Sequence, residues 1–140
     1  MAELETLRRI IGPEECDILG HMNVSRYFAC VSDAGFGIMA AFGLGRGDVV
    51  GGKRQSFAVV HSDATFHSEV LAGEGIYMRS HVTEIGRRSA SFHHRMYRVA
   101  DDKLLFETLF KCVLMDLERR RATVINEDMQ AAMRAFLLEP

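Results

Sequence analysis

The chain has 140 residues, 48% of them hydrophobic, which is enough for one domain with a buried core and too little for two independent ones. Its formal net charge is −2, so no global positive field gathers phosphates, and nucleic acid or an anionic membrane is excluded as the main partner. Cys16, Cys30 and Cys112 are odd in number and widely spaced, which argues against a disulfide framework and for reduced, mostly packed thiols.

The N-terminal residues carry neither a basic region nor an apolar signal core. The longest strongly apolar run, residues 38–44, is broken by glycine and far too short to cross a bilayer. One domain spanning residues 1–140 and a cytoplasmic location are therefore expected. After a short leading segment with the apolar pair Ile10-Ile11 comes Glu15-Cys16-Asp17-Ile18-Leu19-Gly20-His21-Met22-Asn23-Val24-Ser25-Arg26-Tyr27. An acid at Asp17, a bend at Gly20 and an N-cap at Asn23 place a carboxylate near the N–H groups that open a helix, where a developing oxyanion is held. Glu15 reads as surface charge.

Val24, Tyr27, Phe28, Val31, Gly35, Ile38, Met39 and Phe42 recur at three- and four-residue steps, predicting the longest helix over residues 24–42. Gly35 and Gly37 each cost about 1 kcal/mol of helix propensity, so each is expected to have a packing reason, such as close approach of a sheet. Gly43, Gly45 and Gly47 end the helix and begin a loop through Gly51-Gly52. From Ser56 the period becomes two, with Ala58, Val60, Ser62, Ala64, Phe66 and Ser68 on one face and Val59, His61, Asp63, Thr65, His67 and Glu69 on the other. Three further strands follow over residues 76–85, 89–100 and 104–117, joined by short turns, so the four are expected to neighbour one another in a meander. Asn126 caps a last helix whose apolar stripe is Met129, Ala132, Met133, Phe136 and Leu137.

This order of elements and the string Asp17-x-x-Gly20-His21-Met22-Asn23-x-x-x-Tyr27 resemble the hotdog-fold acyl-CoA thioesterases, the group that includes 4-hydroxybenzoyl-CoA thioesterase. The resemblance runs from about Ile10 to Leu117, and Gly73-Glu74 is similar to the family's usual Gly-Asp at the same turn. It implies an α+β hotdog fold, a long central helix wrapped by a curved antiparallel sheet with a C-terminal helix. It also implies hydrolysis of an acyl-CoA to a free acid and coenzyme A. Asp17 would be the catalytic carboxylate, attacking the thioester or activating a water, and the Val24 backbone amide the oxyanion donor. His21 is a site candidate that orients water, bonds Asp17 or contacts the acyl group, and Asn23 is the cap that aims the Val24 amide. The resemblance further implies an acyl-CoA partner, a homodimer or homotetramer with sites between subunits, and no cofactor beyond the coenzyme A of the substrate.

Arg87, Arg88 and Ser89 sit at a turn in a region whose basic residues contact coenzyme A in some of these enzymes, and guanidinium groups suit its phosphates. Arg119, Arg120 and Arg121 read as a solvated loop. His61, Asp63, Thr65, His67 and Glu69 lack the spacing of a metal site and are read as a polar face lining a subunit contact or part of an acyl pocket. His93 and His94 point to opposite faces of their strand and receive no role. Two rivals stand beside the thioesterase. A non-catalytic acyl-CoA binder or effector sensor would dispense with the acid. A hotdog hydratase would place its histidine five residues after the aspartate rather than four.

Overall fold

The computed structural model describes residues 3–138; Met1, Ala2, Glu139 and Pro140, the ends of the 1–140 assignment, lie outside them. Six strands, β1 (Leu4–Ile10), β2 (Gln55–Phe66), β3 (Gly75–Ile85), β4 (Ser89–Arg98), β5 (Leu104–Asp116) and β6 (Arg121–Ala122), form one antiparallel sheet. Among the described residues three α-helices accompany them, α1 (Val24–Ala40), α2 (Arg46–Val50) and α3 (Glu127–Arg134), with one turn of 3-10 helix at Pro13–Glu15. No helix among the described residues is long and apolar enough to cross a membrane.

Helix α1 forms where the three- and four-residue spacing places it and buries Tyr27, Cys30, Val31, Ala34, Ile38 and Met39 against the sheet, chiefly over β1 and β3. Its end falls two residues before Phe42. Gly43 takes a left-handed φ of 81°, and the Leu44 N–H turns back to the Met39 carbonyl at 3.1 Å. The two helical glycines have different surroundings. A Cβ on Gly37 would lie 3.0 Å from the Thr6 carbonyl of β1, whereas one on Gly35 would meet nothing within 4 Å. Gly35 instead lines an apolar cavity of about 200 Å³ between the flank of α1 and the inner face of β2, β4 and β5.

The sheet order is β1-β3-β4-β5-β2, with β6 beside β5. The meander holds for β3, β4 and β5. It fails for β2, which pairs with β5 at the far edge rather than with β3. The link from β2 to β3 is a crossing along the sheet's end, not a tight turn: His67 and Ser68 both donate to the Leu105 carbonyl, the Met22 N–H binds the Val70 carbonyl, and the Gly73 N–H binds the Ile11 carbonyl. The leading segment, left without structure by its short apolar pair, is edge strand β1, paired with β3. The glycine loop contains α2.

Bulges bend the sheet around α1. One lies at Val60, between the pairs Val59↔Cys112 and His61↔Lys111. Opposed residues share a face, so Phe57 and Val59 join the core side with Leu114 and Cys112, while beyond the bulge Ser62, Ala64 and Phe66 do so. The strict alternation over residues 58–68 is therefore correct only from Ser62 onward. At the C-terminal end, α3 buries Met129 and Met133 but stops at Arg134. Phe136 and Leu137 leave the helix because the segment pairs in parallel with β3 at Val82, where β1 no longer reaches.

The three thiols are free; Cys30 and Cys112 are buried, and burial pushes the Cys112 thiol up to about 12. His94, buried on the inner face, is pushed down to about 3 by burial and by His93 and His81, and its Nδ1 lies 2.6 Å from the Ser80 hydroxyl. Alanine favours a helix over glycine by about 1 kcal/mol. Gly37→Ala is nonetheless expected to lower the thermal midpoint, and Gly37→Val to lower it further, because β1 occupies the space; a raised midpoint by calorimetry contradicts this close contact.

Candidate active site

The segment before α1 is a closed hairpin. Cys16 and Met22 form a bridge, the Asp17 N–H binds the His21 carbonyl at 3.1 Å, and the Gly20 N–H binds the Asp17 carbonyl at 3.0 Å. Gly20 has φ of 84°, a conformation that a side chain disfavours. Ile18 and Leu19 are left exposed at the tip. Glu15 is not surface charge: it is 3% exposed, its carboxylate accepts from the Gly12 N–H at 2.8 Å and pairs with Arg9 at 2.6 Å. The hairpin is thereby anchored to β1.

Asp17 is held at both oxygens. Oδ1 accepts the Leu19 N–H at 2.9 Å and Oδ2 accepts the Asn23 side-chain amide at 2.8 Å. These two bonds, the Asn23 contact first, hold its carboxyl below the usual carboxylate range. The other end of the same Asn23 amide caps α1: Oδ1 accepts from the Ser25 N–H at 3.0 Å and the Ser25 hydroxyl at 2.7 Å. The Arg26 N–H binds the Asn23 carbonyl at 2.9 Å. The Val24 N–H, the first amide of the helix, has no acceptor among the described residues. It is the free donor that the dipole of α1 makes attractive to an anion.

Beside this helix start lies a cavity of about 430 Å³ lined by His21, Val24 and Tyr27 and, from the segment that leaves β2, by Phe66, His67 and Glu69. His21 faces Glu69, with Nδ1 and Oε2 3.2 Å apart, rather than bonding the Asp17 carboxylate. Of the motif residues, His21, Met22, Val24 and Tyr27 are on the cavity wall; Asp17 and Asn23, bonded to each other, are not. The His67 Nε2 is 2.8 Å from Glu107 Oε2 on β5. Sequence reasoning missed Glu107, since the expected meander gave His67 no neighbour on β5; His67 and Glu69 were among the residues read as a subunit contact or part of an acyl pocket, and both line this cavity. The polar alternation of residues 61–69 was the available signal.

Arg87 and Arg88 occupy the β3–β4 turn, and Ser89 is the first residue of β4. The Arg87 carbonyl accepts from Ile125 and the Arg88 carbonyl from Leu114, and all three residues are exposed. Ser89 pairs with Val113 on β5, whereas the cavity borders Phe66, which pairs with Phe106, seven positions along that strand. At about 3.3 Å per residue that is roughly 20 Å. Within one chain the structure thus does not bring the basic turn to the cavity. Among the described residues no group of three or more His, Cys, Asp or Glu is placed to hold a metal.

A curled antiparallel sheet around one long helix is the hotdog architecture of thioesterases. The sequence profile of the thioesterase-like superfamily matches residues 11–133, and the chain belongs to that superfamily, a class of thioester hydrolases. No curated protein sequence matches the chain. Among solved structures, a Staphylococcus aureus protein in complex with coenzyme A superposes with a TM-score of 0.86 at 14% identity, covering 97% of this chain and 85% of that one. A Thermus thermophilus protein gives 0.83 at 26% identity, with 98% and 99% covered. The 1,4-dihydroxy-2-naphthoyl-CoA thioesterase of Synechocystis gives 0.80 at 13% identity, with 95% and 96% covered.

The double duty of Asn23 predicts a compound effect. Asn23→Ala is expected to cost about 1 kcal/mol through the lost cap. A further part arises because Asp17 is depressed in the folded state: it is present above 3.8, the ordinary value, and fades as pH falls through the depressed one. Urea melts of both proteins between pH 7 and pH 3 check this; a pH-independent difference would remove Asp17 from the account.

Proposed function

We propose that the protein hydrolyses an acyl-CoA to the free acid and coenzyme A, with Asp17 as the attacking carboxylate and the Val24 amide as the oxyanion donor. The observation that carries this reading is the unaccepted N–H of Val24, a residue of the cavity wall, one position after the Asn23 that clamps Asp17. A thioester carbonyl oxygen at that amide gains charge as the tetrahedral intermediate forms, and a preorganised donor stabilises it without reorganisation. In this reading the attack is direct: the two hydrogen bonds hold Asp17 as an anion with its carboxylate fixed beside the helix start. Each carboxylate oxygen keeps a second lone pair for the attack.

No cofactor is required, since coenzyme A enters and leaves with the substrate. The three free cysteines and the coenzyme A thioester both fit a reducing, cytoplasmic setting. A purified protein that releases thiol from members of a panel of short, branched, aromatic and charged acyl-CoAs is the expected result. Asp17→Asn is expected to lower kcat by about 100-fold or more with little change in thermal midpoint. A midpoint raised by intact acyl-CoA without any thiol release would identify a binding module instead.

The working unit in this reading is at least a dimer joined through β2. That strand is an edge, and Val59, Val60 and Phe66 on it are 51%, 64% and 47% exposed. Unpaired edges of this length invite another strand. Antiparallel pairing of two copies of β2 about a two-fold axis sets the Gln55 end of one against the Phe66 end of the other. The Arg87–Ser89 turn then approaches the partner's cavity, where guanidinium groups bind coenzyme A phosphates. Val60→Lys is expected to give monomers by sedimentation and to raise KM for acyl-CoA; fully active monomers exclude a shared site.

A further inference from the structure

The cavity holds a second chemical group with its own orienting partner. His67 follows the last residue of β2 and borders the cavity. Its Nε2 lies 2.8 Å from Glu107 Oε2, and the other carboxylate oxygen, Oε1, lies 2.8 Å from Nε2 of His93. An ionised carboxylate only accepts hydrogen bonds, so each imidazole must donate from Nε2. In a neutral ring the lone pair is then fixed on Nδ1. His67 is thus a base whose tautomer and ring orientation are set by a carboxylate, the relation found between general bases and their orienting groups.

The charges around the pair leave Glu107 anionic. Burial alone raises its carboxyl, but the hydrogen bonds from His67 and His93 outweigh that and hold it below the usual carboxylate range. From β4, Arg95 Nε approaches Glu107 Oε1 at 3.9 Å, and the ring of His81 on β3 stands edge-on to His93 at 5.2 Å. Glu3 meets Arg95 and His81 at 3.6 and 3.4 Å. On the cavity side the facing groups are His21 and Glu69.

Resting on the proposed thioesterase reading, we propose that His67, positioned by Glu107, is the base that takes the proton of the hydrolytic water. In the first half-reaction an Asp17 oxygen bonds to the acyl carbon and the C–S bond breaks, releasing the coenzyme A thiolate. Asp17 is now one arm of an anhydride and cannot accept a proton. In the second half-reaction the water oxygen bonds to the acyl carbon while its proton passes to His67 Nδ1. The C–O bond to Asp17 breaks, and its electron pair restores the carboxylate. The imidazolium, neutralised by Glu107, gives its proton to the thiolate, and the released acid loses its own proton to solvent. Glu107 touches no reacting atom and is a positioning residue.

The two halves separate kinetically. His67→Gln is expected to lower kcat by about 100-fold or more, the scale of a lost general base. KM should fall in parallel so that kcat/KM is nearly unchanged, with a burst of one equivalent of thiol before slow turnover. Glu107→Gln is expected to lower kcat and KM together in the same pattern but by less, with the burst of thiol retained, whereas a merely structural loss would lower kcat/KM and the size of the burst. His67→Asn carries the same test where the glutamine variant does not fold. Unchanged kcat at an unchanged midpoint, or an equal fall of kcat and kcat/KM without a burst, overturns the role of His67 alone. A wild-type protein silent on the whole panel overturns the thioesterase reading and this inference with it.

Discussion

The side-chain amide of Asn23 is shared between the fold and the candidate site. Its oxygen accepts the Ser25 N–H and so starts α1; its nitrogen donates to Asp17 and so closes the hairpin. Few residue types do both. Serine or threonine caps a helix but has one hydroxyl proton and a shorter reach, and aspartate caps well but would set a second carboxylate against Asp17. With the amide in place, the direction of the first helical N–H and the position of the carboxylate cease to be independent. The apolar stripe of α1 then fixes both relative to the sheet.

The sheet is asymmetric about that helix. α1 covers chiefly β1 and β3, and the close approach of Gly37 to Thr6 locks it there. The inner side of β2 and β5 remains as an aromatic-walled cavity, and the outer edge of β2 remains unpaired among the described residues. The crossing from β2 to β3 runs past the start of α1, bonded to it through Met22 and Val70. That crossing carries His67 and Glu69 to the same end of the molecule as His21 and Val24. A tight hairpin between β2 and β3 would not.

What was legible in the sequence was what local physics controls. The three- and four-residue stripe located α1, Asn23 and Asn126 located two caps, and three strands of the meander followed from their turns. What was not legible depended on distant pairing. The bulge at Val60 has no residue signature, yet it turns over the faces before it. Glu15 looked solvated because its partner Arg9 lies on a strand whose apolar content was too slight to announce it. In the site, the Asp17–Asn23 contact spans six residues and was approachable from spacing. The His67–Glu107 contact spans forty and required the true strand order.

The buried thiols have a consequence for how this protein is observed. Thiolate is the reactive form of cysteine, and Cys112, sealed between sheet and helix with its thiol pushed up to about 12, offers almost none to an alkylating reagent in the native state. Its labelling therefore waits on opening of the core. The rate at which Cys112 is trapped is a clock for that opening, read at a single native atom and without any engineered probe.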